Sequence, residues 1–304
     1  MSKRMDSTYG YNFDQSMLGT THALQGISGN NSISKSVQPQ RFVAAGQSRE
    51  TCDGSRLRRA PPYSIFALIY DKAMSEAVLP SLIDAFDHSR KKHDVSTDSI
   101  ADIGCGTGRF LKYLTRFGGR LTAVDNSPAM LRLARRRLTG ANVTVLRDRM
   151  QDFELPNRVD TLTCTFDTIN YLLTPDDVGR TFAAFARAIK PGGRLLFDFI
   201  PQGAAATATE GRQYIRIGKI LSEWRIQIDP EGRGSVVTIL MRRAGEDNAP
   251  VYVERHRQCW HAPDDVRAAL AHAGFGLMDW RPAEPGGTMG WVHVVARRRA
   301  EVAT

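Results

Sequence analysis

The chain has 304 residues, 41 Lys/Arg against 32 Asp/Glu for a formal charge of +9, and 42% apolar residues. This is ordinary globular composition; it excludes a collagen-like, disulfide-scaffolded or wholly disordered chain and allows one large domain or two small ones. The four cysteines (Cys52, Cys105, Cys164, Cys259) form no C-x-x-C pair, and no apolar run approaches the roughly 20 residues of a membrane helix, so the expectation is a reduced, cytoplasmic protein without a zinc knuckle, metal centre or membrane span.

Residues 1–60 are rich in Ser, Gly, Gln and Asn and hold eight Lys/Arg against four Asp/Glu. Such composition buries too little apolar surface to offset the entropy of ordering, so this stretch reads as a mobile arm. Its aromatics, Tyr9, Tyr11, Phe13 and Phe42, are candidate caps for a substrate pocket. Residues 61–304 read as one domain. Helical spacing of Ile65, Phe66, Ile69, Val78, Leu79, Leu82, Ile83 and Phe86 predicts a helix over 63–86, and the polar run 87–98 predicts a linker.

Strand and helix patterns then alternate: strand 99–103, helix 109–117, strand 120–125, helix 128–138, strands 142–147 and 161–166, helix 176–189, strand 194–200. The glycines after 117 and 138 and Pro128 near a helix start mark the boundaries. This alternation predicts a doubly wound α/β fold, a mostly parallel sheet covered on both faces. Three strands with period-two character, 219–228, 235–243 and 251–260, have no long helix between them and predict an antiparallel meander inserted at 219–260. A helix at 263–273 and a strand at 291–296 close the chain.

The strongest chemical signal is Ala101-Asp102-Ile103-Gly104-Cys105-Gly106-Thr107-Gly108, between a buried strand and a helix. Glycines there let the backbone bend tightly and approach a ligand. A nicotinamide-cofactor turn is G-x-G-x-x-G, and Arg109 stands where its third glycine belongs, which argues against an oxidoreductase. One β-α unit later, Asp125-Asn126-Ser127-Pro128 ends a strand; its carboxylate reads as a ribose-hydroxyl acceptor or as a helix cap, and Met130 as an adenine neighbour or core residue. Asp148, Arg149 and Met150 follow the third strand. Thr165-Phe166-Asp167-Thr168-Ile169-Asn170-Tyr171 leaves the carboxyl end of the fourth, where open parallel sheets bind ligands.

The pattern D-x-G-x-G-x-G, with the Asp125 strand end, the Phe166–Leu172 segment and Lys190-Pro191-Gly192-Gly193, resembles the class I S-adenosylmethionine (SAM)-dependent methyltransferases of small-molecule N- and O-type. The resemblance runs from Tyr63 to about Ile200 and implies a seven-stranded Rossmann-like sheet and SAM as cofactor. It implies a cofactor site of Asp102, Gly104, Cys105, Gly106, Gly108, Asp125, Asn126, Met130 and Phe166, with Asp148 and Arg149 at the adenine. Tyr63 and Tyr70 become candidates for approaching the methionine carboxylate. The Asn/Asp-Pro-Pro-aromatic segment of nucleic-acid adenine methyltransferases is absent, so a nucleic-acid partner is not expected.

The expected reaction is methyl transfer to a nitrogen or oxygen of a small metabolite. Tyr171 and Asp167 are expected beside the methyl group. Strand alternation puts Tyr252, Glu254, His256 and Gln258 on one face, and if that face meets the pocket His256 is the candidate proton acceptor. The meander is then an expected lid or substrate wall and a candidate homodimer surface. Two alternatives stay open: a methyltransferase of RNA or protein, suggested by the positive charge, and a non-catalytic SAM-binding protein.

Overall fold

A computed structural model describes residues 57–203, 210–246, 249–282 and 290–300. Residues 1–56 of the expected arm, with all four of its aromatics, therefore lie outside the described residues; Leu57–Arg59 form strand β1.

The central sheet uses β2 (Ser99–Ile103), β3 (Arg120–Asp125), β4 (Val143–Arg147), β5 (Val159–Cys164), β6 (Ile189–Phe199), β11 (Phe275–Pro282) and β12 (Val292–Arg298). Their order is β11-β12-β6-β5-β2-β3-β4, and β12 runs antiparallel to both neighbours. Every residue of β2 is buried, as a strand covered by helices on both faces requires. The chain runs outward from β2 through β3 to β4 and returns to the other side of β2 at β5, creating a topological switch point at the carboxyl ends of β2 and β5.

The helices follow local rules. In α3 (Pro128–Arg137) the Ser127 hydroxyl accepts the Met130 N–H, and in α4 (Pro175–Ala188) the Thr174 hydroxyl accepts the Asp177 N–H; each has Pro at its start. Helix α2 covers Arg109–Leu114 and α5 Pro263–His272. The leading helix departs from expectation. It is a 3₁₀ turn at Phe66–Leu68, a π turn at Asp71–Ser75 and then α1 at Glu76–Lys92. The expected linker at 87–98 is thus half helix. Its polar residues face solvent while Ser89 is buried, and Arg90, Lys91 and Lys92 complement the helix C-terminus.

The Lys190–Gly193 turn also sits differently, as a bulge inside β6. Pairing steps from Val159–Ile189 to Thr161–Arg194, so the extra residues loop out of the ladder.

A second sheet has the order β1-β10-β9-β8-β7, from Gly211–Ile217 (β7), Ile220–Ile228 (β8), Gly234–Arg243 (β9) and Val251–Cys259 (β10). The three-strand meander is present, extended by β7 and by β1, which pairs parallel to β10. Trp224, Ile226, Val237, Ile239 and Met241 on its inner face pack with Tyr63, Phe66, Tyr70 and Met74 in one apolar cluster that also takes in Met130. Among the described residues, no helix is long and apolar enough to cross a membrane.

Candidate active site

A cleft of about 420 Å³ opens at the switch point, within the range of small-molecule pockets. The glycine turn forms its floor, and each glycine has a separate reason to be there. All three have positive φ. A methyl on Gly104 would sit 2.6 Å from Thr168 Cγ2, so this glycine lets the loop after β5 press against the turn. One on Gly108 would meet Ala134 and Leu138 at 3.2 Å, so Gly108 permits α3 to pack. One on Gly106 would meet only Tyr70 Cε1, at 3.9 Å; here the glycine keeps the cleft open.

The turn's N–H groups have internal partners. Gly104 and Cys105 donate to the Val124 carbonyl at 2.8 and 3.1 Å, and Gly106 donates to Asp125 Oδ2 at 2.9 Å. Asp125 Oδ1 accepts the Ser127 N–H at 2.7 Å. The carboxylate is therefore aimed by two backbone bonds, one to the glycine turn and one to the start of α3. Asp102, at the end of β2, accepts the Thr163 hydroxyl at 2.7 Å. Its burial, opposed by that hydrogen bond and reinforced by the charges of Asp125 and Asp198, pushes its pKa up to about 7.

Of the expected cofactor residues, Tyr63, Tyr70, Asp102, Gly104, Cys105, Gly106, Asp125, Asn126, Met130, Asp148, Arg149 and Phe166 line this cleft, and so does Tyr171. Gly108 does not; it faces α3. The tyrosines gather at one side, with the Tyr63 ring 5.9 Å from Tyr70 and 6.4 Å from Tyr171.

Two expected catalytic residues stand elsewhere. His256 is 1% exposed and lies behind the cleft, its ring edge-on to Tyr63 at 5.3 Å. The face of β10 bearing it is neither solvated nor pocket-facing; Glu254, His256 and Gln258 are all buried, Glu254 against the Tyr63–Phe66 backbone and Gln258 against Asp167. The second sheet supplies no lining residue of this cleft and instead supports the segment that does. Asp167 is fully buried as well, bonded to the Gln258 amide. Phe166 and Asp167 both have left-handed backbone, with φ of 61° and 44°. Asp198 on β6, which no sequence motif marks, accepts the Asp167 N–H at 2.6 Å and helps fix that conformation. Asn170 donates to the Ile200 and Cys259 carbonyls and accepts the Ile200 N–H, stapling the same loop to β6 and β10.

The lining also includes Thr168, Gln151, Leu173, Asp177, Leu79 and Phe110. Leu79 and Phe110 look like any other apolar helix-face residues in the sequence. Gln151 donates to Asp177 Oδ1 at 3.2 Å across a loop contact that no local spacing announces. Four carboxylates (Asp102, Asp125, Asp148, Asp177) against two arginines (Arg109, Arg149) suit a ligand with cationic groups and hydroxyls. This donor set, with the space left at Gly106, fits SAM. Among the described residues, no group of three His, Cys, Asp or Glu could hold a metal ion.

Comparison with known proteins agrees. Residues 100–193 match the methyltransferase domain family. A protein of Geobacillus sp. (strain WCH70), provisionally named a methyltransferase, is 29% identical over 252 residues, covering 78% of this chain and 99% of the relative. The dTDP-3-amino-3,4,6-trideoxy-alpha-D-glucopyranose N,N-dimethyltransferase of Streptomyces venezuelae is 35% identical over 100 residues, 33% of this chain and 41% of that enzyme. The crystal structure of a SAM-dependent methyltransferase from Clostridium acetobutylicum shares the fold, with a TM-score of 0.67 and 20% identity over 78% of this chain and 99% of that one. The glycine turn, the matched domain and the shared fold together identify residues 100–193 as a methyltransferase domain, in a chain with the fold of a SAM-dependent methyltransferase.

Proposed function

We propose that the chain transfers the methyl group of SAM to a nitrogen or oxygen of a small metabolite. The observation that carries this reading is the cleft itself: a glycine turn, aimed carboxylates and three tyrosines line one space, with Tyr70 next to Gly106. Asp125 is the ribose acceptor, Asp148 and Arg149 flank the adenine with Phe166 and Met130, and Asp102, Tyr63 and Tyr70 serve the methionine end. SAM, when bound, supplies a methyl group on a sulfonium cation, a good leaving group for in-line displacement.

The protein's own contribution is alignment and exclusion of water. Holding two reactants in line is worth up to about 7–11 kcal/mol of barrier. Tyr63, Tyr70 and Tyr171 wall the end of the cleft where the acceptor must arrive, and the Tyr171 hydroxyl is the candidate group to orient it. An amine that arrives neutral needs no strong base during attack, which agrees with a cleft that neither His256 nor Asp167 lines. The methyl acceptor of the Streptomyces venezuelae relative, an amino sugar by its name, supports an amine among the first substrates to try. In this reading the second sheet backs the substrate wall.

The test is methyl transfer from isotopically labelled SAM to panels of small amines, amino sugars, phenols and alcohols, read by mass spectrometry. Transfer confined to RNA or protein, with steep salt dependence, would refute the small-molecule assignment. Binding of SAM without transfer to any class would refute the enzyme reading.

A further inference from the structure

Glu254 is a fully buried carboxylate on β10, outside the cleft, and its oxygens are committed to a distant stretch of backbone. Oε2 accepts the Tyr63 N–H at 2.6 Å, and Oε1 accepts the Ile65 and Phe66 N–H groups at 2.6 and 3.0 Å. These donors lie 188–191 residues away in sequence. They include the Phe66 N–H at the start of the 3₁₀ turn, a point where backbone donors lack helical partners. The carboxylate therefore acts as a cap supplied from another sheet. Strand β1 leads straight to the contact, since it pairs with β10 at Leu57–Val251 through Arg59–Val253 and Ala60 donates to the Val253 carbonyl.

Tyr63 itself has φ of 62°, a left-handed conformation disfavoured for a residue with a bulky side chain. Such a conformation persists only where its surroundings over-determine it. Here Glu254 holds the nitrogen side of Tyr63, and the Ser127 hydroxyl donates to its carbonyl at 3.0 Å. With both sides of its backbone held, the Tyr63 ring stands in the cleft wall beside Tyr70 and Tyr171. Ser127 is also the residue whose N–H reaches Asp125, so one backbone turn links the second sheet to the expected ribose carboxylate.

We infer that Glu254 is a positioning residue for the cofactor cleft: by locking the Tyr63–Phe66 turn it holds the Tyr63 ring in the binding wall. This rests on the cleft being the SAM site. Glu254 acts through the backbone of the Tyr63–Phe66 turn, with His256 Nε2 3.4 Å from its Oε2, and its own side chain does not line the cleft. Its effect is on cofactor affinity and not on proton transfer.

The experiment is calorimetric binding of S-adenosylhomocysteine to wild type, Glu254→Gln, Tyr63→Ala and the double variant. Glutamine keeps the size but replaces one acceptor oxygen with a donor facing an N–H. The expected result is affinity about tenfold weaker in Glu254→Gln, about 1.4 kcal/mol, and less than about twofold further loss when Glu254→Gln is added to Tyr63→Ala. A purely structural role would weaken binding equally in both backgrounds, and that additivity would overturn the inference; so would wild-type affinity in Glu254→Gln. If Glu254→Gln does not fold, Glu254→Asp, which keeps the charge and withdraws it by one methylene, gives the same comparison. Wild-type protein that binds no S-adenosylhomocysteine would overturn the cofactor reading first, and this one with it.

Discussion

Replacing Gly104 and Gly106 by alanine separates two roles that the sequence motif runs together. Both have positive φ, 75° and 54°, so each alanine meets a backbone penalty of about 1–2 kcal/mol. At Gly104 the added methyl also lands 2.6 Å from Thr168 Cγ2 and 2.9 Å from its hydroxyl oxygen. Relieving such a clash in a packed interior costs a further ~1–3 kcal/mol. Gly104→Ala should therefore lose about 2–5 kcal/mol of stability, and Gly106→Ala, with its nearest contact at 3.9 Å, only the backbone part. Binding should behave the other way round, because the Gly106 methyl projects beside Tyr70 into the cleft; its affinity for S-adenosylhomocysteine should fall tenfold or more. Urea unfolding and calorimetry on the two variants measure both quantities. Thr168→Ala removes the clashing atoms, and in the Gly104→Ala background it should restore about 1–3 kcal/mol as a coupling energy. Equal stability losses in the two glycine variants, or no coupling to Thr168, would refute the reasoning.

Asp125→Ala should weaken S-adenosylhomocysteine binding by tenfold or more, since it removes the proposed ribose acceptor and leaves the Gly106 and Ser127 N–H groups without their carboxylate; calorimetry with unchanged affinity would count against the ribose assignment. Asp102, with its pKa raised to about 7 by burial, should make SAM affinity pH-dependent. A cationic ligand favours the ionised form, so affinity should be highest above pH 7 and fall below it by up to about tenfold per pH unit, the limit for one proton. Asp102→Asn should flatten the profile. The same raised pKa means that, in ligand-free protein, this group lowers stability as pH climbs from about 4 to about 7, where only the unfolded chain has given up its proton. His256→Ala should destabilise the fold by about 2–4 kcal/mol, as loss of a buried ring does, and leave the shape of the turnover pH profile unchanged; loss of an ionisation from that profile at constant stability would reinstate the histidine as a base.

Sequence alone was enough for whatever rests on short-range backbone chemistry. The alternation of buried strands and capped helices implied the parallel sheet, and the glycine turn with Asp102 and the strand-end Asp125 located the cleft, because the conformations and spacings that build them lie within a few residues of one another. What stayed hidden was set by contacts between residues far apart in the chain. Strand β11 escaped because a register shift between Leu277 and Asp279 breaks its alternation, and edge strand β7 because little of it is buried. Asp198 looks like an ordinary strand residue, and nothing in the sequence gives Asn170 or Glu254 its partners, until folding places backbone N–H groups from other elements against them. Strand alternation makes His256 a candidate base only if the face it shares with Tyr252, Glu254 and Gln258 meets the pocket. Alternation reports which side chains point the same way. Only the tertiary packing of the second sheet on the Tyr63–Met74 segment decided that this face meets a buried seam and not the substrate.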